Sequence, residues 1–313
     1  MAKYKIGIVG FGKIARDQHA PAIEASPDLV LAGVSNMASG SAPQGVPSFA
    51  TFTEMLRAVP DLDAVCLCTP PGPRRLIAEQ CLAAGKNVLL EKPPAATVAE
   101  VSDLATRARA AGKVLFGTYH AQHNLAVKKA AELLIGKTVS KVFVTWKEDV
   151  RKWHPGQDWI FEEGGFGIFD PGINALSILT RILPQAPFIH SAELLFPANR
   201  QAPIAANLTF AVGELSGDEL KAQFDWRWNG PEIWEIDIQT SDGLKMKLAN
   251  GGGKLEIDGQ PPLEGPTDEY PDIYRDFANM LERNVSNADI EPFQLVADAF
   301  MIGRRTVVEP FDF

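Results

Sequence analysis

Along the first third of the chain, short and nearly unbroken apolar runs alternate with segments whose apolar residues recur every three or four positions. The runs KIGIVG (5–10), LVLAGVS (29–35), AVCLCTP (64–70), NVLLEKP (87–93) and VLFGTYH (114–120) predict strands covered on both faces. The segments between them, IARDQHAPAIEA, TFTEMLRAV, PRRLIAEQCLAAG and TVAEVSDLATRARAAG, have the apolar spacing of helices, and two of them end in Gly. Thr97 followed by Glu100 adds a capping box at the start of the last. Strands alternating with helices in this order predict an α/β fold with a parallel, doubly wound sheet.

The pattern changes near residue 121. A helix over NLAVKKAAELLIG (124–136) leads to a strand in VSKVFVTWKEDV (139–150). After GGFGIFDPGINALSILTRIL the chain passes through IHSAELLF, ANLTFAV, ELKAQFDWRW, WEIDIQTS, LKMKLAN and KLEIDGQ. Several of these alternate strictly, as in Trp234, Ile236 and Ile238 against Glu235 and Asp237, which predicts an antiparallel sheet with one covered face. Two helices, PDIYRDFANMLERN and PFQLVADAFMIGRRTV, are expected to close the chain. The expected organisation is a first domain over 1–120 and a second, α+β domain over 121–313.

Composition narrows the partners. With 30 Lys and Arg against 39 Asp and Glu, the 313 residues carry a formal charge of −9, and no basic patch stands out to neutralise phosphates. A nucleic-acid partner is not expected. The three cysteines, Cys66, Cys68 and Cys81, are too few for a disulfide framework and lack a second pair for a zinc site, so they read as small buried hydrophobes and no metal is expected. No run approaches the roughly 20 apolar residues of a membrane span, and the N-terminus lacks a signal-peptide pattern. The expectation is a cytoplasmic protein.

The chemistry concentrates in loops after strands. Gly10-x-Gly12-x-x-Ala15 follows the first strand and opens a helix. There the first Gly permits a tight turn, the second lets backbone approach a pyrophosphate, and the small third residue lets the helix pack. At the end of the second strand stand Ser35 and Asn36, with neither the acid that would bind a ribose 2′-OH nor the Arg that would pair with a 2′-phosphate, which leaves NAD against NADP open. The loops CTPPG (68–72) and LEKPP (90–94) also lie at strand ends, where ligands of open α/β sheets bind. The expected cofactor contacts are Gly10, Phe11, Gly12, Lys13, Ile14, Ser35, Asn36, Thr69, Pro70, Pro71, Glu91 and Lys92. In FDPGIN, Asp170 reads as an N-cap with Pro171 at the first helical position, and Asn174 follows one turn later on the same face.

GFGKIA, CTPP and above all AAGKNVLLEKP resemble the Gfo/Idh/MocA oxidoreductases, which join a Rossmann domain to a domain with a large open antiparallel sheet. Within that family, WKEDVRKWHPGQDWIF followed by GGFGIFDPGINALSILTRILP is similar to the bacterial aldose 1-dehydrogenases that act on D-galactose or L-arabinose. The resemblance implies NAD(P)-dependent oxidation of an aldopyranose at C1 to a lactone, D-galactose first, by a homodimer. It implies that Lys92 lies beside the nicotinamide. The wider family has Asp-x-x-x-His where this chain has Asp170-x-x-x-Asn174, and many relatives have His where it has Arg74. An amide cannot take a proton at neutral pH, so the base role falls to Asp170 and Asn174 orients the sugar, with Lys92 as the alternative base. Glu148, Trp153, His154 and Trp159, with His120 at the fifth strand's end, are the expected substrate contacts. L-arabinose as substrate and a non-catalytic cofactor-binding regulator of the same fold remain the alternatives.

Overall fold

The computed structural model describes residues 4–35, 42–265 and 269–313. The chain divides into two compact units, one over Met1–His120 with Asp268–Ile290 and one over Ala121–Thr267 with Glu291–Phe313.

The first unit contains β1 (Tyr4–Val9), α1 (Ala20–Ala25), β2 (Leu29–Ser35), β3 (Ser48–Phe49), α2 (Phe52–Ala58), β4 (Ala64–Leu67), α3 (Pro71–Ala83), β5 (Asn87–Leu90), α4 (Val98–Ala110) and β6 (Leu115–Gly117). Its strands form one parallel sheet, which in space reads β3-β2-β1-β4-β5-β6. The order reverses between β1 and β4, so their carboxyl ends flank the crevice in which such sheets bind dinucleotides. Both faces are covered. Ile6, Ile8, Cys66 and Leu89 point into one core, and Val9, Val65, Leu67, Val88 and Leu90 into the other. At α4, Thr97 accepts the Glu100 N–H, and the Glu100 carboxylate accepts the Ala96 N–H.

The second unit contributes α5 (Leu125–Leu134), β7 (Val139–Lys147), α6 (Val150–Trp153), α7 (Phe169–Ile182), β8 (Pro187–Pro197), β9 (Ala205–Val212), β10 (Leu215–Asp225), β11 (Ile233–Thr240), β12 (Lys245–Ala249), β13 (Lys254–Ile257) and β14 (Leu263–Glu264). The chain then forms α8 (Glu269–Arg283), β15 (Asn287–Ala288), α9 (Glu291–Ile302) and β16 (Arg304–Val308). The large sheet runs β14-β13-β12-β11-β7-β10-β9-β8-β16. Val142, Val144 and Trp146 on β7 and Ile236 and Ile238 on β11 are buried, as period-two alternation requires.

Three features depart from the sequence reading. The large sheet is mixed, because β7 pairs with β10 and β8 with β16 in parallel. The last predicted helix stops at Ile302, and Arg304–Val308 is strand. Gly303 makes the break: a Cβ there would lie 2.3 Å from the Ala299 carbonyl. Finally, α8 and β15 belong to the first unit. Tyr270, Ile273, Tyr274 and Phe277 on α8 are buried in the same core as Ile6 and Phe116, and β15 pairs with β6.

Candidate active site

In the first unit, Gly10 follows β1 with φ +86°, and a Cβ there would meet the Thr69 nitrogen at 2.7 Å. Only glycine permits the β1 turn to lie this close to the end of β4. At Gly12 a Cβ would meet nothing within 4 Å, so the backbone faces open space where a pyrophosphate approaches. Ala15, the first residue of the helix that follows, is fully buried. That helix begins as a π turn over Ala15–His19, which carries His19 into the core. A cradle of this shape fits a dinucleotide.

The remaining expected cofactor residues differ in what they present. Ile14 is exposed, and Lys13 is exposed and paired with Asp17. Phe11 is buried in the core, so only its backbone is available. Ser35 is also buried, with its carbonyl accepting the Gly10 N–H. Asn36 lies outside the described residues. Pro70 and Pro71 start α3, and from its first turn Arg74 is buried and donates to the carbonyls of Thr69, Glu91 and Pro93. One guanidinium therefore joins the two loops that the sequence marks as ligand-binding.

Lys92 follows Glu91 at the end of β5. Glu91 is buried, accepts the Tyr270 hydroxyl at 2.7 Å and lies 3.4 Å from His19 Nε2. Burial pushes its carboxyl up, but the nearby imidazole of His19 and the charges of His120 and Lys92 prevail and hold it down to about 2. His120 meets Glu269 at 2.7 Å and stacks on Tyr270. Burial opposes its charge, yet Glu269 raises its pKa overall. His19, Arg74 and Tyr270 were not predicted as parts of this site. The unusual Arg at position 74 was the one visible signal.

In the second unit, α7 begins earlier than predicted. Phe169 N–H bonds the Phe166 carbonyl and Asp170 N–H bonds that of Gly167, so Asp170 stands within the first turn and makes no cap. Pro171 is still among the first residues, whose N–H groups lack intrahelical partners. Gly172 lets this turn ride on β10, since a Cβ would lie 3.1 Å from the Phe224 ring. The buried Asp170 carboxylate lies 3.3 Å from His154 Nε2. His154 Nδ1 is 3.4 Å from Gln157 Oε1, and its ring packs on Trp226. Asn174 is one turn along from Asp170, and its Oδ1 is buried without a hydrogen-bond partner.

Glu148 lies behind this group. Its two oxygens accept the indole N–H groups of Trp226 at 3.0 Å and Trp234 at 2.7 Å, so it orders those rings rather than presenting a free carboxylate. Burial raises its pKa, with the indole hydrogen bonds and His154 acting against that. Trp153 and Trp159 are 45% and 38% exposed and offer flat apolar faces.

Residues 4–119 match the oxidoreductase family described as having an NAD-binding Rossmann fold. Galactose 1-dehydrogenase of Pseudomonas fluorescens is 42% identical over 311 residues, 99% of each chain. The crystal structure of a D-galactose-1-dehydrogenase protein from Rhizobium etli superposes with a TM-score of 0.91 at 46% identity, covering 100% of this chain and 99% of that one. GenD2 from gentamicin A biosynthesis, solved in complex with NAD, shares the fold at 19% identity and a TM-score of 0.80, covering 96% of this chain and 94% of its own. The chain belongs to the Gfo/Idh/MocA family of oxidoreductases, with an NAD-binding Rossmann unit.

Proposed function

We propose that the protein oxidises an aldopyranose at C1, D-galactose first, with NAD or NADP as acceptor and the lactone as product. The observation that carries this reading is the buried Asp170 carboxylate facing His154, with the unpartnered Asn174 oxygen one turn on, in a chain closely similar to galactose 1-dehydrogenases. Lactone formation removes a hydride from C1 and a proton from the C1 hydroxyl. The bound nicotinamide supplies the hydride acceptor.

The chain's own residues supply the rest. Asp170 takes the hydroxyl proton, and His154 at 3.3 Å orients the carboxylate and receives the proton onward. Asn174 Oδ1 accepts a sugar hydroxyl, which gives a buried acceptor its missing donor. Trp153 and Trp159 cover the apolar face of the sugar ring, while Glu148 fixes the indoles beneath. Lys92, at the end of β5 in the cofactor unit, is the residue that the family resemblance sets beside the nicotinamide. Gly10, Gly12 and the loops clamped by Arg74 hold the dinucleotide.

In the same reading the enzyme is cytoplasmic and works as a homodimer. Among the described residues no helix is long and apolar enough to cross a membrane. Phe188 on β8 and Val307 on β16 leave apolar surface of the kind a second copy covers. The test is the rate of nicotinamide reduction with D-galactose, L-arabinose, D-fucose and D-glucose, each with NAD and with NADP. Turnover with D-galactose supports the reading. Cofactor binding without turnover of any sugar overturns it in favour of a regulator.

A further inference from the structure

Cys66 and Cys68 leave the end of β4 on the same side, because side chains alternate along a strand, and their Sγ atoms lie 3.6 Å apart. No disulfide joins them. His19, delivered by the π turn after the glycine loop, places Nδ1 3.4 Å from Cys66 Sγ. The ligand atoms of the three residues lie within 4.8 Å of one another. The cysteine spacing alone hides this group, since the third member stands 47 positions away.

The distances suit a tetrahedral ion. With metal–sulfur bonds of about 2.3 Å and metal–nitrogen bonds of about 2.0–2.1 Å, tetrahedral ligands stand roughly 3.5–3.8 Å apart. Both contacts of Cys66 are already close to that range, and among the three ligands the Cys68 to His19 separation is the one that has to adjust. The Tyr274 hydroxyl, 2.7 Å from His19 Nδ1, turns away from that nitrogen when the ion binds, and water fills the fourth position.

A second observation points the same way. His19 is fully buried, and its other ring nitrogen, Nε2, makes no hydrogen bond but lies 3.4 Å from Glu91 Oε1. A carboxylate behind the far nitrogen of an imidazole is the usual outer support of a metal-bound histidine. Glu91 is itself fixed by the Tyr270 hydroxyl. Cys68 is only partly buried, which gives an ion an entry at the carboxyl end of β4. Cys81 packs in the opposite core, away from this group.

We propose that His19, Cys66 and Cys68 form a binding site for one thiophilic divalent ion of the Zn2+ or Cd2+ class within the dinucleotide-binding unit. Binding exchanges two thiol protons for two metal–sulfur bonds, with the protons released to solvent and no change of oxidation state. The ion ties the helix after the glycine loop to the end of β4.

The test is a titration of the reduced full-length protein with Cd2+, followed by the ultraviolet sulfur-to-metal charge-transfer absorbance and by the thermal midpoint. The expected result is a band that saturates at one equivalent, a raised midpoint, retention of both in Cys81→Ser, and loss of both in Cys68→Ser. Cys68 is only partly buried, so its serine variant is expected to fold, which circular dichroism checks. A wild-type protein with no band at one equivalent overturns the proposal. So does a band of unchanged intensity in Cys66→Ser/Cys68→Ser.

Discussion

Replacing Arg74 by Met keeps the length of the side chain and removes the charge and every donor. In the native structure the guanidinium is 2% exposed and donates to three backbone carbonyls, those of Thr69, Glu91 and Pro93. A hydrogen bond to a charged group contributes about 1.5–3 kcal/mol, and each buried carbonyl left unpaired costs about 1–3 kcal/mol. The three bonds come from two nitrogens of one guanidinium and are not additive, so the expected loss is about 3–5 kcal/mol, the size seen when one partner of a buried charged contact is removed. That is a large fraction of the roughly 5–15 kcal/mol that holds a domain folded. Arg74→Lys should recover little, because an ammonium lacks the planar fork that reaches three carbonyls at once.

The chain offers a selective probe for this loss. All four tyrosines, Tyr4, Tyr119, Tyr270 and Tyr274, lie in the first unit, and all six tryptophans lie between Trp146 and Trp234 in the second. Second-derivative tyrosine absorbance during urea unfolding therefore reads the first unit. The expected result for Arg74→Met is a lower urea midpoint with an unchanged slope, together with weaker dinucleotide binding. A variant within about 1 kcal/mol of wild type would refute the assignment of Arg74 as the clamp between the two loops.

Four further outcomes follow from the geometry. Gly10→Ala places a Cβ 2.7 Å from the Thr69 nitrogen at a positive φ and should lower stability by about 1–3 kcal/mol, read by tyrosine absorbance on heating. Gly12→Val, by contrast, projects into open space, so its thermal midpoint should stay near wild type while the KM for dinucleotide rises at least about tenfold. Asn174→Ala should cut kcat/KM for D-galactose by roughly 10- to 100-fold with normal dinucleotide affinity, as for one lost hydrogen bond at the sugar. Glu91 has a folded pKa of about 2, below the usual range, so its contribution is present at neutral pH and lost as pH falls from the unfolded value toward 2. This should amount to about 3 kcal/mol, and Glu91→Gln should flatten the acid side of the first unit's stability profile.

Local pattern made the Rossmann unit legible: continuous apolar runs, glycine turns and a capping box are each written within a few residues. The pairing of β7 with β10 and β8 with β16 was not, because strand direction depends on partners far along the chain. The same holds for α8, whose amphipathic sequence shows that it packs but not on which sheet. At the site, the four-residue spacing of Asp170 and Asn174 was readable as a shared helix face. The N-cap assignment failed because the turn at Gly167 starts the helix before Asp170, which leaves the carboxylate to face His154. His19 and Tyr270 came into view only with the fold, since they reach Glu91 from positions 72 residues before it and 179 after it in the chain.

The most direct test of the central claim is the steady-state rate of D-galactose oxidation by Asp170→Asn, followed by reduced-nicotinamide absorbance, with dinucleotide binding measured alongside. The account predicts that kcat falls by about 10²–10⁴-fold, as for loss of a general base, while dinucleotide affinity is unchanged. A variant that keeps most of the wild-type kcat would contradict it and move the base to Lys92.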